Sequence, residues 1–111
     1  MPAYAIASLR TVDVNDEILE YLEKIDASLD PFDGRFLVHG STPEVIDGDL
    51  PGAVVVIEFP DLAAAHAWYH SPAYQEILPL RLRNSTGGAV IVDGAPEGYR
   101  AAHYAAKLLA L

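Results

Sequence analysis

Residues Val54 to Arg83 read VVVIEFPDLAAAHAWYHSPAYQEILPLRLR, and this stretch decides the fold. It opens on an apolar run that predicts a strand over 53–59, and Pro60-Asp61 stops that strand. Asp61 is placed to cap a helix over 62–70, since a short side-chain oxygen at that position accepts from an otherwise orphaned backbone N–H. Ser71-Pro72 repeats the signal, with Ser at the cap and Pro at the first helical position, where its missing N–H costs nothing. Tyr74, Ile77, Leu78, Arg81 and Leu82 then follow at helical spacing. Pro79 is expected to bend this second helix. The same thirty residues hold the only Trp, two of the six Tyr and two of the four His.

Toward the N-terminus, Arg35 to His39 predicts a second strand, and Tyr4 to Leu9 a first one. Between them Ile18, Tyr21, Leu22, Ile25 and Leu29 recur at helical spacing. Asp13 or Asn15 can cap that helix, Asp16 and Glu17 suit its positive end, and Pro31 and Gly34 end it. Glu44 to Ile46 suggests a brief extra strand, and Pro51-Gly52 signals a turn. Toward the C-terminus, Gly87-Gly88 is expected to end the helical region, and Ala89 to Val92 predicts the fourth strand. Residues 95–111 are rich in helix formers. Tyr99, Ala102, His103, Ala106 and Leu109 lie on one face, which predicts a docked helix.

The order β-α-β-β-α-β is that of an α+β, ferredoxin-like domain, an antiparallel sheet with its helices on one face. The expected organisation is a domain over 1–94 and a C-terminal helical extension over 95–111. A sheet whose second face met water would alternate apolar and polar residues. VVVIEF, YAIASL and AVIV do not. Something is expected to cover that face. A second copy of the chain is the economical answer, because closed symmetric dimers are the commonest oligomers. The C-terminal helix is the rival.

Composition narrows the function classes. The chain has 111 residues, 51% of them hydrophobic, and no Cys, which leaves out disulfides, thiolate metal sites and thiol nucleophiles. The net charge of −9 opposes binding to nucleic acid or to an anionic membrane. No basic segment followed by a long apolar run opens the sequence, and none of its apolar runs is long enough to span a bilayer, so a cytoplasmic protein is expected. There is no phosphate-cradling Gly loop, no dinucleotide fingerprint and no nucleophile elbow. No cofactor is expected.

A few residues are candidates for a site. Pairing the second and third strands so that Arg35 faces Glu58 sets His39 opposite Val54. The period of two then places Arg35, His39 and Glu58 together on the face away from the helices. Arg35 and Glu58 would form a cross-strand ion pair, either a polar anchor in an apolar pocket or a device that sets register. His39 and Glu58 are the candidate acid/base groups, His39 because its reference pKa lies near neutrality. Trp68 and Tyr74 belong either to the core or to the mouth of the pocket, and Arg81 and Arg83 either bind a carboxylate or simply answer the acidic surface. His66 and His70 share a helix face, but two ligands make no metal site, and they read as surface residues. No metal is expected.

These segments resemble a known family. Asp33 to Gly40 is similar to the Gly-Gly-Arg-Phe-Leu-Val-Arg-Gly-Gly block of the domain of unknown function 1330 family. Val56 to Pro60 resembles its strand ending in Glu-Phe-Pro. Ala67 to Gln75 resembles its Trp-Tyr-Asp-Ser-Pro-Glu-Tyr-Gln block, and Pro79-Leu80-Arg81 its Pro-Leu-Arg. The resemblance spans roughly residues 3 to 94. It implies a dimeric α+β barrel, in which two ferredoxin-like sheets face each other, and a pocket rather than a reaction. His39 stands where the family usually has Arg, and Ala53 or Val54 where a strand Arg is frequent. Those departures remove two positive charges and argue against carrying over an anionic substrate. The functional expectation is a homodimer binding a small apolar or aromatic molecule in a cavity between sheet and helices. The alternatives are a cofactor-independent monooxygenase or isomerase, of a kind found among such barrels, and a structural or regulatory dimer without ligand.

Overall fold

A computed structural model describes residues 1–50 and 52–111; the turn signal at Pro51 lies outside them. The elements are β1 (Ala3–Val12), α1 (Asp16–Leu29), β2 (Arg35–Val38), β3 (Ala53–Phe59), α2 (Leu62–Tyr69), α3 (Pro72–Leu82), β4 (Ser85–Asp93) and α4 (Ala101–Leu109). The sheet is antiparallel in the order β2-β3-β1-β4, the ferredoxin-like arrangement.

Local chemistry accounts for the helix boundaries. The Asn15 side chain accepts from the Ile18 N–H at 3.0 Å, that of Asp61 from Ala64 at 2.8 Å, and that of Ser71 from Tyr74 at 3.3 Å. α1 runs into a short 3-10 turn at Asp30–Phe32, and Asp33 then takes a left-handed conformation with φ 55°. Pro79 does not end α3, which continues to Leu82.

Three expectations are corrected. Residues 44–46 form no strand. β4 begins at Ser85, and Gly87 and Gly88 lie inside it, paired with Leu9 and Ser8; the hydrogen-bond ladder with β1 overrides their weak strand preference. The C-terminal helix begins at Ala101 rather than near residue 95, and all of its residues are exposed.

The core gathers where α1, α2 and α3 meet one end of the sheet. Ala3 and Phe59 are fully buried there, with Ile57, Leu29, Trp68 and Ile77 around them. On the opposite face of the sheet, Ile6, Val54 and Val56 are half-buried, while Val90 and Val92 are exposed. That face is apolar and carries no helix.

Candidate functional site

The helix-facing side of the sheet changes character along β1. Ala3 is fully buried against Phe59, but Ala5 and Ala7 are only half-buried, and Ala89, across from Ala7, is exposed. Small side chains here do not reach the helices above them. α1 packs mainly on α3 rather than on the sheet. The result is a cavity of about 720 Å³ between the two layers. Its floor includes Ala5, Ala7, Val55 and Ile57, and its roof Ile18, Tyr21 and Ile25 of α1.

The side wall comes from α2 and α3. Trp68 is buried, its ring centroid 4.0 Å from that of Tyr74 and 5.4 Å from that of Phe59, and its indole N–H donates to Ser28 Oγ at 3.0 Å. Ser28 Oγ–H in turn donates to the Ile25 carbonyl at 2.6 Å, so the indole N–H is tied to α1. Tyr74 and Arg81 follow on α3, seven residues apart and therefore on one stripe of the helix. The Tyr74 hydroxyl meets that of Tyr21 from α1 at 2.7 Å, in a buried hydrogen bond. Arg81 is half-buried beside this pair and lines the cavity. Beyond it, Arg83 hydrogen-bonds Glu17, and Asn84 donates to the same carboxylate at 3.0 Å, tying the start of α1 to the end of α3. Those hydrogen bonds hold the Glu17 carboxyl below its ordinary range.

Burial pushes the Tyr21 phenol well above its ordinary pKa, and the neighbouring Tyr74 adds to the effect, with Arg81 opposing it. Desolvation works against the Arg81 charge, but the two tyrosine hydroxyls outweigh it and raise its pKa. Tyr21 is therefore a neutral hydrogen-bonding group here and no base. Above about pH 10 the unfolded chain loses a phenol proton that the folded chain retains. Stability present below that pH should then fall as pH rises, by about 1.4 kcal/mol per pH unit for this one group. Urea unfolding between pH 8 and pH 11.5 should show a shallower alkaline decline for Tyr21→Phe than for the parent chain. Equal slopes would contradict the buried-phenol reading.

The residues singled out in the sequence divide between two faces. Trp68, Tyr74, His39 and Arg81 line the cavity, while Arg35 and Glu58 do not. The expected register of Arg35 with Glu58 holds, and Arg35 Nε donates to Glu58 Oε1 at 2.9 Å. The expected position of His39 opposite Val54 does not. The pairing shifts between Phe36 and Val38, so that Val38 faces Val56, and this irregularity moves later residues to the other face. His39 consequently stacks on Phe36, a helix-facing residue, with ring centroids 4.6 Å apart, and it never meets Glu58. The Arg35–Glu58 pair is partly open to solvent, the Arg side chain 70% exposed, and contributes at most about 1 kcal/mol.

Sequence reasoning missed Tyr21, which reads as one more residue on the apolar stripe of α1. A hydroxyl on a core stripe needs a partner, and that requirement was the available signal. It also placed His66 and His70 on the surface; both are exposed, yet both line the cavity. Among the described residues, no group of three or more His, Asp or Glu side chains is positioned to hold a metal ion. No helix among them is long and apolar enough to cross a membrane.

Comparison with known proteins agrees with this architecture. The model of the family described as a domain of unknown function (DUF1330) matches residues 2–95. No curated protein matches the chain. A dimeric ferredoxin-like protein of unknown function from Jannaschia sp. CCS1 superposes with a TM-score of 0.64 at 17% identity, over 86% of this chain and all of that one (100%). A protein of unknown function from Rhodopseudomonas palustris gives 0.63 at 15% identity, over 86% of this chain and 83% of the other. SnoaB, a cofactor-independent oxygenase from Streptomyces nogalater, gives 0.54 at 12% identity, over 89% and 96%. At these identities the likeness is one of fold.

Proposed function

Starting from a chain that belongs to the DUF1330 family, we propose that it is a homodimeric binding protein for a small molecule with an apolar or aromatic body. The observation that carries this reading is the cavity of about 720 Å³, walled by aliphatic and aromatic side chains with a few convergent polar groups. Sites of that size and lining are characteristic of small-molecule recognition. Trp68 and Tyr74 make an aromatic side wall to the cavity, and Ile18, Val55 and Ile57 give a ligand apolar contact.

Binding is favoured over catalysis by the division of the polar residues. An acid/base pair of His39 and Glu58 would need both on one cavity. Glu58 is instead engaged by Arg35 on the far face, and His39 stands at an exposed part of the cavity wall. Oxygenase chemistry of the kind named for the Streptomyces nogalater relative would need another base, and His66 and His70 are the candidates on this wall.

The dimer reading rests on the apolar, helix-free face of the sheet, and the relative from Jannaschia sp. CCS1 is described as dimeric. Light scattering should give twice the 12.0 kDa chain mass. Val56→Lys, at the centre of that face, should reduce it to one chain without loss of secondary structure, because a charge there would be buried unpaired in the dimer. A parent chain that scatters as a monomer would overturn this part. For the cavity, native mass spectrometry of freshly purified protein should show a retained small molecule. Trp68 emission should shift as apolar probes are added; an emission unmoved by all of them would leave a structural or regulatory dimer as the better account.

A further inference from the structure

The cavity has one polar corner, and its chemistry is one-sided. Arg81, Tyr21 and Tyr74 meet there, two from α3 and one from α1. A guanidinium carries five N–H donors and no acceptor. Two hydroxyls that bond each other use one of their two protons and leave the other to donate. The corner therefore presents a surplus of donors.

It also presents an unbalanced charge. The ion pairs among the described residues are Lys24–Glu20, Arg35–Glu58 and Arg83–Glu17, and Arg81 is in none of them. The side chains gathered beside Arg81 on the cavity wall are Tyr74 and Tyr21, whose hydroxyls bond each other. Its place in the last turn of α3 lets the helix dipole offset part of the charge, a contribution that fades within a turn. A cation partly withdrawn from water gains from an anionic partner, and this chain has 16 acidic and 7 basic side chains yet sets none of the acids against Arg81 in an ion pair among the described residues. Glu17, the acidic side chain tied to the end of α3, is engaged by Arg83 and Asn84, and Arg81 lines the apolar cavity.

We infer that the ligand supplies the missing partner: it is an amphipathic carboxylate whose anionic group is held by Arg81 and the Tyr21–Tyr74 hydroxyl pair, and whose aromatic or aliphatic body fills the cavity. This rests on the binding reading above and names the chemical class of its ligand. It also restores an anionic ligand that the loss of two strand cations argued against in the sequence. The cation that matters lies on α3, in the Pro79-Leu80-Arg81 block, and not on the sheet. A carboxylate is preferred over a neutral polar group because an ionised acceptor makes hydrogen bonds roughly twice as strong as a neutral one, and because the cation is partly withdrawn from water.

The test compares three probes that share one body: 4-phenylbutanoate, 4-phenylbutan-1-ol and 4-phenylbutylammonium. Binding to the full chain is followed by calorimetry and by the emission of Trp68, the only Trp. The acid should bind about tenfold or more tighter than the alcohol, and the ammonium weakest of the three. Arg81→Gln should weaken the acid about tenfold or more, and far more than it weakens the alcohol, so that the advantage of the acid is lost, and Arg81→Lys should restore part of it. Near-ultraviolet circular dichroism of the aromatic cluster verifies that each variant is folded; should Arg81→Gln fail to fold, the same comparison is made with Arg81→Lys and Tyr21→Phe, which should each narrow the gap. Equal binding of acid and alcohol to the parent chain would overturn the anion inference and leave the cavity reading standing. An advantage for the acid that survives Arg81→Gln would overturn the assignment to this corner. If no probe binds at millimolar concentration, the cavity reading itself fails, and the inference with it.

Discussion

Trp68→Ala should cost about 3–5 kcal/mol, a large part of the stability of a domain this size, and leave a population unfolded at ambient temperature. Trp68 is buried, and its ring packs against those of Tyr74 and Phe59. Removing it leaves a void beside residues that cannot collapse into it, because Phe59 is fixed on β3 and Tyr74 on a capped α3. The loss also removes the donor to Ser28 Oγ. Trp68→Phe retains most of the packing and should cost about 1–2 kcal/mol. The measurement is the urea midpoint read by circular dichroism, since both variants lack the fluorophore. A cost for Trp68→Ala below about 1 kcal/mol would show that the ring is a mobile cavity wall and no part of the core.

Gly87→Ala is expected to be nearly as damaging, for a different reason. Gly87 has φ 124°, and a Cβ built there would lie 2.1 Å from the Ser8 carbonyl oxygen. The obstacle is backbone in the paired strand β1 and cannot swing aside. Strain of about 1–3 kcal/mol from the backbone conformation adds to a similar cost of overpacking. The β1–β4 ladder should part near Leu9, where the register already shifts. Its neighbour supplies the control. A Cβ at Gly88 meets nothing within 4 Å, so Gly88→Ala should change stability by no more than about 0.5 kcal/mol. Thermal unfolding of the two variants separates steric cause from simple loss of glycine; equal midpoints would refute the argument.

Much of the fold was legible because its signals are local. Asp61, Ser71 and Pro72 mark helix starts by side-chain chemistry that acts within three residues, and all of them act as read. The apolar run over 53–59 has no alternation, and it became the interior strand between β2 and β1. The Arg35–Glu58 register was legible because opposite charges across a strand pair favour one alignment. The site was less legible. The face of His39 depends on one irregularity in the β2–β3 pairing, which no residue type in Arg35–His39 announces. Gly87-Gly88 reads as a helix stop and lies in a strand, because partners distant in sequence supplied the hydrogen bonds. Residues 101–109 are amphipathic enough to predict a docked helix, yet amphipathicity does not say what the apolar side meets.

By itself, the sequence determined the main elements and their order, though not all their bounds, the apolar character of both sheet faces and the family signature. The elements follow from spacing and capping along a short length of chain, the apolar sheet faces from the lack of alternation in the strands, and the signature from blocks of sequence that resemble the family's. Only the tertiary structure decided which residues share a cavity. Small residues on the sheet lie beneath α1, while α1 itself leans on α3, and the space between the layers is a sum of side-chain volumes that no single segment encodes. The same holds for Arg81. Its type and helical position were plain, but a missing counter-ion is a property of everything around it, and Tyr21 lies 60 residues away on another helix.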